Sequence, residues 1–121
     1  MTVKLYHNPG CSNSRGALAI LRERGIEPVI VEYLKSPPTR AELEALAGKL
    51  RATAGSAWPG LRDGMLRAKE AAWSELKLDG ASDEVLLKSA AAHPVLLNRP
   101  IVVTAKGARL CRPPERVLEI L

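Results

Sequence analysis

Within the first 33 residues the apolar side chains change their spacing twice, and that change constrains the fold more than any later stretch. Residues 3–7, with Val3, Leu5 and Tyr6, predict a short strand, and residues 14–24 predict a helix with Ala17, Leu18, Ile20 and Leu21 on its inner side. Arg22, Glu23 and Arg24 face outward, and Gly25 stops the helix as a glycine just past a C-terminus does. Residues 28–33 return to strand. Val29, Ile30 and Val31 run consecutively apolar, the pattern expected where both faces of a sheet are covered. A strand, helix, strand unit closes through a right-handed crossover, which makes its two strands parallel.

The turn inside that unit carries the chemistry. Tyr6-His7-Asn8-Pro9-Gly10-Cys11-Ser12-Asn13-Ser14-Arg15 sets Cys11 where a helix presents free N–H groups and the positive end of its dipole. A thiolate is favoured there, and cysteines at helix N-termini ionise below their ordinary range. Elsewhere a cysteine is usually a small buried hydrophobe. Here the polar Ser12-Asn13-Ser14 run, and Arg15 as a neighbouring cation with His7 if charged, argue for a nucleophile. Pro9 and Gly10 fit a tight turn that lets backbone approach a bound anion.

Beyond residue 33, Ser36-Pro37-Pro38 breaks the pattern. Thr39 and Glu42 make a capping box for a helix whose apolar stripe is Leu43, Leu46, Ala47 and Leu50. Residues 51–64, with Gly55, Trp58-Pro59-Gly60 and Gly64, predict short helical turns and loops. Residues 65–78 predict a further helix carrying Arg67 and Trp73, Asp79-Gly80 a turn, and Ser82 the N-cap of a helix that ends before His93-Pro94. Trp58 and Trp73 are expected as core anchors. Residues 39–92 thus read as a helical block inserted after the second strand. Ile101-Val102-Val103-Thr104 and residues 108–111, joined by Lys106-Gly107, form an antiparallel hairpin. Pro113-Pro114 opens a last helix with Val117, Leu118 and Leu121 on one side and Glu115 near its positive end.

A chain of 121 residues, 46% of them apolar, suits one domain over residues 1–121 with one core. The net charge of +5 points to an anionic partner. Nucleic acid fits poorly, because Phe is absent and no aromatic residues interleave with the arginines to stack on bases. Two cysteines a hundred residues apart make neither a disulfide framework nor a metal-ligand set, so no metal is expected and a reducing compartment fits. Without a leader-like segment or a stretch of ~20 apolar residues, the expectation is a soluble, cytoplasmic protein off the membrane, monomeric for lack of an apolar seam.

The order of elements, His7-Asn8-Pro9-x-Cys11-x-x-Ser14-Arg15 near the start, and Asn98-Arg99-Pro100-Ile101-Val102-Val103 with Leu110-Cys111-Arg112-Pro113 near the end together resemble the glutaredoxin-linked arsenate reductase family. Tyr33-Leu34 before Pro37-Pro38-Thr39, and Leu66-Arg67 before Trp73-x-Glu75-Leu76, extend the likeness over nearly the whole chain, which ends as the short branch of that family does. The resemblance implies an α/β, thioredoxin-like domain with a mixed four-stranded sheet, in which Pro100 matches the cis-proline facing the active cysteine. It implies that Cys11 attacks arsenate with His7 and Ser14 beside it, and that Arg67, Arg99 and Arg112 hold the oxyanion. Glutathione as co-substrate and glutaredoxin as partner would supply the electrons that release arsenite.

Physical chemistry fits those roles, since guanidinium offers forked, permanently charged donors to a tetrahedral anion. Ser14 stands where a Cys-x-x-Cys motif has its second thiol, so the resolving thiol is expected from outside, with Cys111 packed beside the last strand. Three other readings compete. A thiol-dependent oxidoreductase of the same family with a different substrate shares every residue above. A non-catalytic regulator that binds RNA polymerase would usually carry the missing Cys-x-x-Cys switch. A cysteine phosphatase would need an arginine six positions after Cys11, where Ala17 stands.

Overall fold

The computed structural model describes residues 2–121, which divide into two compact units. One unit comprises the residues through Ser36 together with Arg99–Leu121, and it contains the whole sheet. Its elements are β1 (Lys4–His7), α1 (Ser12–Glu23), β2 (Val29–Glu32), β3 (Ile101–Thr104), β4 (Gly107–Leu110) and a closing 3-10 helix, Pro114–Ile120. The strand order is β2-β1-β3-β4. β1 runs parallel to β2 with Leu5 opposite Ile30, and antiparallel to β3 with Leu5 opposite Val102. β3 and β4 form the expected hairpin, with Thr104 opposite Gly107. This is the mixed four-stranded α/β sheet that the family resemblance implies.

Two expectations about this unit need correction. β2 is an edge strand, and Val29 and Ile30 are 52% and 37% exposed rather than covered on both faces. A run of β-branched residues suits either setting; only the strand order separates them. The closing helix is 3-10, and it buries Val117 and Ile120 while Leu118 is exposed. Residues three apart eclipse in that geometry, so the buried pair follows the tighter helix and not an α-helical stripe.

Val3, Leu5, Leu21, Val102, Cys111, Val117 and Ile120 make the core of the unit, with Leu18, Ile20, Ile26 and Leu121 packed against them. Each large apolar side chain taken from water contributes roughly 1.5–3 kcal/mol. Leu5 before the Cys11 turn and Leu21 after it are both fully buried. The thiol loop is therefore anchored on each side by the core and has little freedom to drift.

The second unit, Pro37–Asn98, is helical: α2 (Arg40–Ala54), α3 (Leu61–Gly64), α4 (Ala71–Glu75) and α5 (Asp83–Ala92), with 3-10 turns at Gly55–Ala57 and Pro94–Leu96. The capping box forms in full, Thr39 Oγ1 accepting the Glu42 N–H at 3.1 Å and Glu42 Oε1 the Thr39 N–H at 3.2 Å. Ser82 caps α5 as expected, accepting the Val85 N–H at 3.3 Å. Residues 65–78 are not one helix. Met65 is a buried turn residue that closes α3, Leu66 is buried and bridges Leu97, the Asn98 N–H donates to Met65 O at 2.9 Å, and within this stretch only Ala71–Glu75 is α-helical. A partner about thirty residues away wins here, and no local periodicity reports it. Among the described residues no helix is long and apolar enough to cross a membrane.

Both tryptophans serve packing. Trp73 is buried, with its Nε1–H donating to Asp79 Oδ1 at 2.8 Å. Trp58 is only half-buried and packs its six-membered ring against Gly64, where an added Cβ would come within 2.5 Å of Cζ3 and 2.7 Å of Cη2. Gly64→Ala must push the indole aside, and overpacking of this kind costs about 1–3 kcal/mol. A thermal melt of Gly64→Ala should fall by several degrees, with a shift in tryptophan emission. An unchanged melt would remove Trp58 from the packing of this unit.

Candidate active site

The loop between β1 and α1 is held by its own polar groups. Asn8 is the key: its carbonyl accepts the Cys11 N–H at 3.0 Å, its Oδ1 accepts the Gly10 N–H at 2.9 Å, and its N–H donates to Ser14 Oγ at 3.0 Å. Arg15 Nη1 donates to Pro9 O at 2.8 Å. The N–H groups of Gly10 and Cys11 are thus spent inside the loop, and the free donors left at the helix end belong to α1 itself. The sequence reading did not single out Asn8. Its signal was there, because an Asn two residues before a glycine in a Pro-Gly turn is suited to an Asx-turn.

Cys11 is the N-cap of α1, with an extended backbone at φ −98° and ψ 124°. Its thiol is partly exposed and held below its ordinary pKa. Burial is the largest single influence and works the other way, favouring the neutral thiol; the Ser14 N–H, the Arg99 guanidinium, the Asn13 N–H and the Arg112 guanidinium together outweigh it. Arg112 Nη1 sits 3.7 Å from Sγ and also donates to Arg99 O at 2.8 Å. One guanidinium therefore ties the thiol to the backbone of the other arginine. Arg99–Pro100 is a cis peptide bond, as the resemblance implied.

His7 and Ser14 are both buried and share a hydrogen bond, Nδ1 to Oγ, at 2.6 Å. Burial first, with Arg22 and Arg15 and against Glu32, lowers the His7 pKa below its ordinary value. At neutral pH the ring is therefore uncharged. It orients Ser14 and, through it, the Asn8 amide; it is not the second cation considered from sequence.

Cys11, His7, Ser14, Arg99 and Arg112 all belong to the sheet-bearing unit and come together there. Arg67 belongs to the helical unit and lies outside any helix. Its N–H donates to Leu96 O at 2.8 Å, and its Nε lies 2.9 Å from Glu70 Oε1, out of line for a hydrogen bond. Cys111 is fully buried, its Sγ 3.4 Å from Arg109 O, and burial pushes its pKa up to about 12. Among the described residues no group of three His, Cys, Asp or Glu side chains is placed to hold a metal ion.

The cluster is suited to nucleophilic attack on an anion. A thiolate at a helix N-terminus, flanked by two guanidinium groups, meets the charge that builds when sulfur attacks an oxyanion. The sign of its pH dependence follows. Because the folded pKa is lowered, the thiolate is present above that pKa and is lost as pH falls through it, and the fold gains stability from it above the unfolded value. Alkylation of Cys11 by iodoacetamide should show a midpoint below the free-thiol value of about 8.5. A midpoint at or above that value would remove the activation argument.

The profile described as the ArsC family matches residues 6–120. The chain is 50% identical over 123 residues to a Rhizobium meliloti protein named arsenate reductase, covering 100% of this chain and 82% of that one. It is 43% identical over 121 residues to an arsenate reductase of Escherichia coli, covering 98% and 80%. The solved arsenate reductase of Vibrio cholerae superposes with a TM-score of 0.90 at 44% identity, covering 100% of this chain and 98% of that chain.

Proposed function

This chain belongs to the ArsC family, and from that premise we propose that it is an arsenate reductase in which Cys11 is the nucleophile and Arg99 and Arg112 hold the oxyanion. The observation that carries the reading is the Arg112 guanidinium placed 3.7 Å from a thiol whose pKa is lowered. Arg67 enters as a third oxyanion ligand on its Leu66-Arg67 motif, not on a contact. His7 and Ser14 support the nucleophile by positioning its loop through their shared hydrogen bond and the Asn8 amide.

The chemistry balances with two external thiols. Cys11 thiolate forms a bond to As(V) and a hydroxide leaves, taken up as water. Glutathione adds to the same arsenic, displacing a second oxygen as water. The glutaredoxin thiolate then attacks the glutathione sulfur; the sulfur–sulfur bond forms, the sulfur–arsenic bond breaks, and its electron pair stays on arsenic, which becomes As(III). Water releases arsenite and returns the Cys11 thiol. A buried Cys111 with a pKa near 12 is a poor internal resolving thiol, which favours the external route. The proposal places the protein as a monomer in the reducing cytoplasm, where glutathione and glutaredoxin are present.

The test is NADPH oxidation dependent on arsenate, glutathione, glutaredoxin and glutathione reductase. Omitting glutathione or glutaredoxin should remove the rate. No rate above background with all components would overturn arsenate as substrate and favour a thiol oxidoreductase acting on a different oxyanion.

A further inference from the structure

Gly16 lies in the second turn of α1, makes none of the side-chain contacts of the thiol loop, and packs directly against Pro114 in the segment after β4. A Cβ at this position would fall 2.9 Å from Pro114 Cγ and 3.2 Å from Pro114 Cβ. Real Cβ atoms do not approach a neighbour so closely, and a proline ring cannot swing away as a long side chain would. Pro114 is two residues from Arg112, and the intervening residue is also a proline. With φ fixed at both prolines, displacement of Pro114 passes along the chain to Arg112 instead of dissipating in a flexible loop. Arg112 in turn holds Arg99 O at 2.8 Å and Cys11 Sγ at 3.7 Å.

We infer that Gly16 is a positioning residue for the Cys11 site: its missing side chain lets Pro114 seat against α1 and thereby sets Arg112 over the sulfur. The inference rests on the proposed use of Cys11 and Arg112, but its main readout needs no substrate. Helix propensity argues the opposite way, since alanine is better than glycine inside a helix. A loss in Gly16→Ala would therefore not come from a weaker α1. Gly48 in α2 provides the contrast, because a Cβ there meets nothing within 4 Å.

The experiment is a pH titration of Cys11 alkylation, with kcat and KM for arsenate measured beside it, in the full chain. Gly16→Ala should raise the Cys11 midpoint toward the free-thiol value and lower kcat/KM about tenfold, consistent with partial loss of one charged donor. Gly48→Ala should leave the midpoint where it is. Adding Pro114→Ala to Gly16→Ala removes the 2.9 Å contact with Cγ, leaves only the milder 3.2 Å approach to Cβ, and should bring the midpoint most of the way back to that of the unaltered chain. A wild-type midpoint in Gly16→Ala overturns the inference, and so does a shifted midpoint that Pro114→Ala fails to restore. If Gly16→Ala does not fold, the double variant must fold and titrate normally, or the inference is lost. A chain that never reduces arsenate but shows this pattern of midpoints would defeat the proposed substrate and leave the role of Gly16 standing.

Discussion

Cys11→Ser protein should show no arsenate-dependent NADPH oxidation above the rate without enzyme, a loss of at least about 10⁴-fold, while Cys111→Ser should stay within about twofold of the unaltered chain. The contrast follows from where each sulfur sits. Cys11 is partly exposed at the N-terminus of α1, with two guanidinium groups and two backbone N–H groups favouring its thiolate. A serine hydroxyl in that place stays protonated, and the same donors cannot make a nucleophile of it. Cys111 is packed among Val3, Leu5, Leu21, Val102, Val117 and Ile120 with its pKa pushed up to about 12, so it is a neutral apolar group throughout the working range. Replacing it with serine puts a hydroxyl into that core and should cost about 1–3 kcal/mol in stability, read as a lower melting temperature with kcat unchanged. Equal loss of turnover in both variants would show that Cys111 resolves the intermediate, and the external route would fall.

How far the sequence could be read depended on whether the deciding contact was local. Thr39 with Glu42 and Ser82 before α5 are each settled within four residues and form as expected, and the β3–β4 hairpin forms with its turn at Ala105-Lys106 and Gly107 already in β4, one residue earlier than the sequence predicts. Met65 and Leu66 are not, because Leu66 bridges Leu97 and Met65 O accepts from Asn98, both far along the chain; residues good enough for a helix are drawn away by these distant partners. Val29 and Ile30 show the same limit in a strand. Their own chemistry specifies β structure, while their exposure comes from β2 standing at the edge, a property of the sheet and not of the strand.

The site divides along the same line. Cys11 at a helix start is legible from nine residues around it, and its lowered pKa is what that placement entails. The charge of His7 was not legible, since it depends on burial at the end of the interior strand β1 and on Glu32 across from it in β2. Arg99 and Arg112 came through the resemblance alone. Nothing between positions 11 and 112 indicates that a guanidinium will reach the sulfur; the antiparallel pairing of β3 with both β1 and β4 brings the two ends of the chain together. Gly16 against Pro114 is of this kind too, an absence of atoms whose meaning appears only beside its neighbour.

Arg112 carries two loads at once, and lysine should separate them. Its Nη1 donates to Arg99 O at 2.8 Å while lying 3.7 Å from Cys11 Sγ, so it supplies positive charge to the thiolate and, in the proposed reaction, a fixed donor for the oxyanion. Arg112→Ala removes both and leaves Arg99 O without that donor. The expected result is a fall in kcat/KM of about 10²–10³, or roughly 3–4 kcal/mol of transition-state stabilisation, with a rise in the Cys11 alkylation midpoint. Arg112→Lys keeps the charge, so most of the thiolate stabilisation should survive and the midpoint should move little. A lysine ammonium is a point charge on a flexible stem and cannot hold a carbonyl and face the anion with a rigid fork. Its kcat/KM should therefore remain at least about tenfold below that of the unaltered chain. The two readouts then part company, the midpoint following charge and turnover following geometry. Arg112→Lys with unimpaired kcat/KM would mean that charge alone suffices, and the guanidinium shape at the centre of the proposed oxyanion site would have no role in the reaction.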